Sequence, residues 1–397
     1  MSKKYSPQTQ LLHATRLAPQ YLNTIQPPLY RASTIIFSDI AALEQRHWTD
    51  PYDYSYGTHG TPTTYTLADQ IAQIEGGKYT LLAPSGLSAI NLVNSCLLKQ
   101  GDEVWIPDNI YGPNQEHLQY LSEHYNIHVG IYNPMAIDSF QPSAQCKLLW
   151  LEAAGSVSLE FPDLLAFIHK AKQANILTAL DNTWGAGLAF NPFDLGDAHS
   201  AVDISVHALT KYPSGGGDIL MGSITTTHRP LHLRLLKMHA LQGIAVSGDD
   251  CAQIQRSLSS MRIRYQQQCQ SALQLTNWLK TQTAFAQVLH PALPDSPGHQ
   301  HWQQLCPTGL AAGLVSVIFK ADYSLAQVKQ FIEQLQLFKI GFSWGGPISL
   351  VMYYQIHKMR ACEHAHLSDG ILVRFCIGLE QTEDLIADIE QALTRIV

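Results

Sequence analysis

The chain has 397 residues, 46% hydrophobic and 14% charged, the balance of an ordinary globular protein rather than of a disordered chain or a fibre. Twenty-five lysines and arginines against 32 aspartates and glutamates give a formal charge of -7, and without a long basic run nucleic acid is excluded as an expected partner. Seven cysteines (Cys96, Cys146, Cys251, Cys269, Cys306, Cys362 and Cys376) are odd in number and lack CxxC spacing; with no signal-peptide core and no apolar run of roughly eighteen residues, they predict free thiols in a soluble cytoplasmic protein, away from membranes.

Residues 1–60 are rich in Thr, Tyr, Pro and Gly with little periodicity, and predict an extended arm with turns at Pro27–Pro28 and Gly57–Thr58, of the kind that reaches a neighbouring subunit. The segment DYSYGTHGTPTTYTL (53–67) leads into a helical stretch carrying Leu67, Ile71 and Ile74, which stops at Gly76–Gly77. From Tyr79 to about Ser223 strands and helices alternate: YTLL then Ser85–Leu98, EVWIP then Pro113–His124, IHVGIY, KLLWLE then Pro162–Ala174, ILTALD and ISVHA. That order predicts an α/β domain with a mainly parallel sheet covered on both faces. Ligands sit beyond the carboxyl ends of such strands, where Ser85, Gly86, Glu152, Asp181 and Lys211 fall.

Helical stretches then dominate to about 281. After the Pro- and Gly-rich HPALPDSPGHQHW (290–302), LVSVIFKA (314–321) and ILVRFCIGLE (371–380) read as strands, with helices at Leu325–Leu335 and from Thr382 onward. The division expected is an arm, 1–60, a ligand-binding α/β domain, 61–256, and a smaller α+β domain, 257–397.

Three stretches carry chemistry. At PSGLS (84–88) a strand meets a helix whose free amides could bind a phosphate, with Gly86 permitting close approach; Ser85 as a plain N-cap is the other reading. ILTALDNTWGAG puts Asp181 at a buried strand end, either a helix cap or, beside a bound pyridine, the group that keeps the ring nitrogen protonated. VDISVHALTKYPSGGGDILMGS (202–223) sets Lys211 after an apolar strand. Desolvation would lower its pKa and free the amine to attack a carbonyl, although a surface lysine at a strand end has the same appearance in sequence.

Taken together, these features suggest pyridoxal 5'-phosphate (PLP). With GTPT (60–63), ALTKY (208–212), HPALPDSPGH (290–299), SWGG (343–346) and RFCIGLE (374–380), the chain resembles the Cys/Met-metabolism family of PLP enzymes, within it the proteobacterial cystathionine β-lyases. The resemblance runs nearly end to end. It implies a fold-type-I PLP-dependent transferase architecture, a homotetramer made of two dimers, and a carbon-sulfur β-lyase acting on a small amino-acid substrate in methionine metabolism. It further implies Lys211 as the Schiff-base lysine, Tyr111 stacked on the cofactor and assisting the reaction, Asp181 at the pyridine nitrogen, and Gly86, Leu87 and Thr210 on the phosphate. Tyr56 would be lent by the adjacent subunit, Arg374 would grip the substrate α-carboxylate, and Ser343 and Trp344 would line the substrate side. A γ-acting relative, or a PLP-binding protein without turnover, are the other readings.

Four departures from the family pattern stand out. Thr58, followed by His59, replaces a common phosphate arginine, and Ala208 replaces a common serine, which predicts weaker phosphate binding. Gly215–Gly216 replaces Gly-His, and Ile348 follows SWGG where glutamate is common, which bears on substrate choice. His357, Cys362, His364 and His366 lack the usual metal-ligand spacing, so no metal is expected. Tyr79 after Gly77–Lys78 excludes a P-loop, and no GxGxxG opens the first strand.

Overall fold

In the computed structural model, which describes Thr9 and residues 24–50, 53–196 and 200–396, the chain builds a seven-stranded and a five-stranded sheet. Most of the expected arm before residue 24 lies outside the described residues. After a short helix α1 (Ile40–Glu44) come α2 (Pro62–Glu75), β1 (Tyr79–Ala83), α3 (Gly86–Leu97), β2 (Glu103–Pro107), α4 (Gly112–Tyr125), β3 (His128–Tyr132), β4 (Cys146–Glu152), α5 (Leu164–Gln173), β5 (Leu177–Asp181), β6 (Ile204–His207) and β7 (Gly222–Thr226). The strands of the larger sheet lie in the order β1-β7-β6-β5-β4-β2-β3. Within it β7 runs antiparallel to both its neighbours, and the remaining pairs are parallel.

The expected alternation is therefore present, and β7 is an addition to it. Ser- and Thr-rich, with Ile224 its one large apolar residue, this strand carries little apolar signal, yet it is wholly buried, and neighbouring segments satisfy the hydroxyls of both its threonines. Thr225 Oγ1 meets Thr80 Oγ1 at 2.9 Å, and Thr226 Oγ1 donates to the Asp203 carbonyl at 2.7 Å.

Local chemistry fixes where the helices begin. Thr61 caps α2 in a reciprocal capping box with Thr64, Pro62 supplies the preset first turn, and Gly76 ends the helix at a φ of 74°. Ser85 caps α3 by accepting from the Ser88 amide at 3.0 Å.

Past the large sheet run α6 (Arg229–Leu241), α7 (Gly248–Leu279), β8 (Phe285–Leu289), α8 (His299–Leu305), β9 (Leu314–Phe319), α9 (Leu325–Gln334), β10 (Lys339–Ile340), β11 (Leu350–Tyr354), β12 (Leu372–Cys376) and α10 (Thr382–Leu393). The second sheet has the order β10-β11-β12-β9-β8; β8, β10 and β11 were not expected. Residue 257, the expected domain boundary, lies inside α7, an unbroken helix of 32 residues. The early part of that helix, Cys251 through Cys269, packs in the core of the large sheet, and Ala272, Leu275 and Leu279 pack in the core of the small one. A composition shift marks the change of neighbours but not a break in the backbone.

Among the described residues, no helix is long and apolar enough to cross a membrane.

Candidate active site

The carboxyl ends of β4, β5 and β6 and the start of α3 surround a cavity of about 180 Å³, whose walls include Gly86, Leu87, Tyr111, Glu152, Asp181, Thr210, Lys211 and Trp344. Seven of the ten expected site residues are thus brought to one space. Ser343 and Arg374 join it through contacts: Lys211 Nζ donates to Ser343 Oγ at 2.7 Å and lies 4.6 Å from the centre of the Trp344 ring, and the Arg374 guanidinium carbon lies 5.2 Å from that same ring. Tyr56 is different. It is 46% exposed, and the neighbouring Gly57, Thr58 and His59 line a separate cavity with His232 and His239, so its own chain does not bring it to the site.

Burial, and then the nearby Arg374 cation, lower the Lys211 pKa from 10.5 to about 8, with Asp181 acting weakly the other way. Two features of the SWGG segment hold the lysine. Ser343 adopts a φ of 127°, a region L-residues seldom occupy, and Gly345, at 78°, lies so close that a Cβ there would come within 2.9 Å of the Tyr212 amide nitrogen. Below the lysine, Tyr212 is fully buried, its hydroxyl accepting from the Gly313 amide at 2.9 Å. Gly215, one of the departures, faces Arg264, whose Nη1 donates to the Tyr212 carbonyl at 3.0 Å; a Cβ at 215 would meet that nitrogen at 2.2 Å.

Asp181, which lines the same cavity, accepts from the Thr183 amide at 3.0 Å, and burial raises its pKa. Its partner across the parallel register is Glu152, 4% exposed, whose pKa burial and Asp181 also raise. The Tyr111 phenol is held above its usual value by burial and then by Asp181 and Glu152. It is therefore protonated at neutral pH.

Whether the walls fit a phosphorylated pyridine can be judged from three observations. The start of α3 presents its first amides to the cavity at Gly86, and a Cβ there would fall 2.7 Å from the Ala208 Cβ, so only glycine leaves this approach open. Asp181 adds a carboxylate and Lys211 a buried amine of lowered pKa to the same walls. The fit is good with one qualification about Thr210. Its hydroxyl donates to the Met221 carbonyl at 3.2 Å and accepts from the Met221 amide at 3.1 Å, so its proton is already committed to the backbone.

Arg374 is 4% exposed. Its guanidinium lies between the Trp344 ring and the Tyr354 ring, at 5.2 and 5.4 Å, and Nη1 donates to the Ser156 carbonyl. Nε has no partner among the described residues. A buried guanidinium N–H left unpaired is costly unless an anion completes it.

Sequence reasoning noted Glu152 only as a polar strand end and passed over Ser156, Thr183 and Trp184, all of which line the cavity. The signal for Glu152 was present: KLLWLE ends in a carboxylate as ILTALD does. Nothing in the sequence marks Ser156. The histidine cluster divides in the fold, with His364 Nε2 3.3 Å from His357 Nδ1 while His366 Nε2 meets Glu160 Oε1 at 3.1 Å. Glu160 is also paired with Arg360 at 3.0 Å, and that cation and the hydrogen bonds around it hold its pKa down to about 2 despite burial.

A family model described as "Cys/Met metabolism PLP-dependent enzyme" matches residues 8–394. The chain is 34% identical over 371 residues to a cystathionine beta-lyase of Bordetella avium, covering 93% of this chain and 91% of that one. It is 30% identical over 396 residues to an L-alanine/L-glutamate racemase of Wolbachia pipientis wMel, with 97% and 96% covered. Among solved structures, metB from Corynebacterium glutamicum superposes with a TM-score of 0.88 at 25% identity, covering 99% of both chains.

Proposed function

Since the chain belongs to the Cys/Met-metabolism family of PLP-dependent enzymes, we propose that it is a carbon-sulfur β-lyase, cleaving cystathionine or a related cysteine thioether to a thiol, pyruvate and ammonia. The observation that carries this reading is the position of Trp344, with Lys211 Nζ 4.6 Å and the Arg374 guanidinium 5.2 Å from its ring. A bulky ring against both base and carboxylate clamp takes up space in which a substrate carbon chain could lie, which favours a leaving group on the β-carbon over one on the γ-carbon.

When bound, PLP supplies an electron-poor ring that takes up the electron pair left at the substrate α-carbon. Gly86 and Leu87 would meet its phosphate through their amides, with Thr210 beside them; Asp181 would hold the ring nitrogen, Tyr111 would stack on the ring, and Tyr56 would arrive from a neighbouring subunit. Lys211 would hold the cofactor between turnovers. Its neutral Nζ, positioned by Ser343 and Trp344, would take the substrate α-proton. Arg374 fixes the α-carboxylate and so aims the Cα–H bond at that amine. Tyr111, still carrying its phenolic proton, is the donor available to the departing sulfur.

The test is direct. The purified protein incubated with cystathionine should release pyruvate. Release of 2-oxobutyrate would show γ-cleavage, and no product from any thioether would favour cofactor binding without turnover.

Cofactor uptake carries its own pH signature. Only the neutral amine attacks a carbonyl, and with a pKa lowered from 10.5 to about 8 that form is populated at lower pH than for an ordinary lysine. Uptake by cofactor-free protein, followed by visible absorbance, should quicken as pH rises and level off above about 8. A rate still climbing tenfold per pH unit at about pH 10 would show an unshifted lysine.

The phosphate site is expected to bind weakly. In place of a fixed cation stands Thr58, and His59 is engaged within its own chain, Nδ1 lying 2.9 Å from Ser55 Oγ and the ring tilted 5.7 Å from Trp48. In an assembly of two dimers, Thr58→Arg should add a charge-assisted contact and tighten PLP by about ten- to a hundredfold. Equal dissociation constants for PLP by equilibrium dialysis would show that another group already supplies the charge.

A further inference from the structure

We infer that Glu152 is a positioning residue: a single buried carboxylate that sets the places of Tyr111 and Arg374 at once. Each of its oxygens accepts one backbone N–H. Oε2 takes the Tyr111 amide at 2.7 Å and Oε1 takes the Ser156 amide at 2.9 Å. Tyr111 is the residue from which α4 starts, and it has no side-chain cap of its own, so the carboxylate orients the first turn of that helix and with it the phenol. The carbonyl of Ser156, in turn, accepts from Arg374 Nη1. The turn that Glu152 holds is therefore the turn that holds the guanidinium.

This arrangement separates Glu152 from its neighbour Asp181. The two are partners in register at the ends of β4 and β5, but among the described residues the Asp181 carboxylate takes its hydrogen bonds from Thr183, through the amide at 3.0 Å and the side chain, and so ties no second element to the site. Both oxygens of Glu152 are committed to the backbone. It is poorly placed to move a proton during turnover, and well placed to act through others.

The inference rests on the reading of Arg374 as the clamp for the substrate carboxylate, so the test measures that clamp first. Glycine and ethanolamine share an amine and a two-carbon frame, and only glycine has the carboxylate. Titrating each into holoenzyme and following the cofactor absorbance gives two dissociation constants. Wild type should favour glycine and Arg374→Ala should lose that preference. If wild type shows no preference, both the clamp and this inference fail.

Glu152→Gln keeps one carbonyl oxygen but turns an NH2 toward the second backbone amide, two donors facing each other. It should weaken glycine by about tenfold or more while changing ethanolamine by less than about threefold. Combined with Arg374→Ala, its effect on glycine should largely vanish, since the two would act on one contact. Wild-type preference for glycine in Glu152→Gln would overturn the inference, as would full additivity in the double variant. Should the glutamine variant fail to take up cofactor, Glu152→Asp, which keeps the charge but is one methylene too short to reach both amides, is measured in the same way and must show the same selective loss.

Discussion

Lys211→Ala is expected to abolish the visible absorbance of the lysine-linked cofactor and nearly all turnover. Among the described residues that line the cavity, Lys211 is the one lysine, held by Ser343 Oγ at 2.7 Å and set 4.6 Å from the centre of the Trp344 ring. Both of its proposed duties, fixing PLP and removing the α-proton, disappear together. Borohydride treatment followed by mass measurement gives a yes-or-no answer: the wild type should carry a reduced cofactor on the peptide containing residue 211, and the variant should carry none anywhere. A variant that still fixes cofactor by reduction would remove Lys211 from its proposed role.

Arg374→Ala should lower kcat/KM by about 2 to 4 kcal/mol, roughly thirty- to a thousandfold, chiefly through KM. The magnitude follows from the setting. A guanidinium held between two aromatic rings and 4% exposed is already oriented when substrate arrives, and its unpaired Nε offers a donor that a carboxylate can complete. The cofactor spectrum should be unchanged, because the residue is proposed to touch substrate and not PLP. A change in kcat/KM below about threefold would mean that the α-carboxylate is held elsewhere.

Much of the larger sheet was legible because parallel strands buried on both faces must be apolar along their length and must end in something polar. LTALD and CKLLWLE show this plainly, and Lys211 after ISVHA follows the same grammar. What remained illegible depends on neighbours distant in sequence. β7 is polar in composition, yet it is buried, with Thr80 and Asp203 completing the hydroxyls of Thr225 and Thr226. Thr210 reads as a free hydroxyl until the fold brings Met221 to it from eleven residues on. The chain of contacts from Glu152 through Ser156 to Arg374 spans 218 residues at its second link, and no local pattern announces it. The departures from the family pattern divide similarly: the structure accounts for Gly215 through its contact with Arg264, whereas nothing in it explains Ile348, which is 57% exposed.

The unbroken run of α7 has a consequence for how the molecule holds together. A helix whose first half is anchored in one core and whose last turns are anchored in another cannot let either core loosen without withdrawing support from the other, because interrupting it sacrifices intrahelical hydrogen bonds as well as packing. Any opening of the cleft between the sheets must then bend or slide this strut as a whole, since it offers no flexible linker near residue 257 to act as a pivot. The small sheet, which contributes Arg374, is in this sense mechanically continuous with the large one, which contributes Lys211.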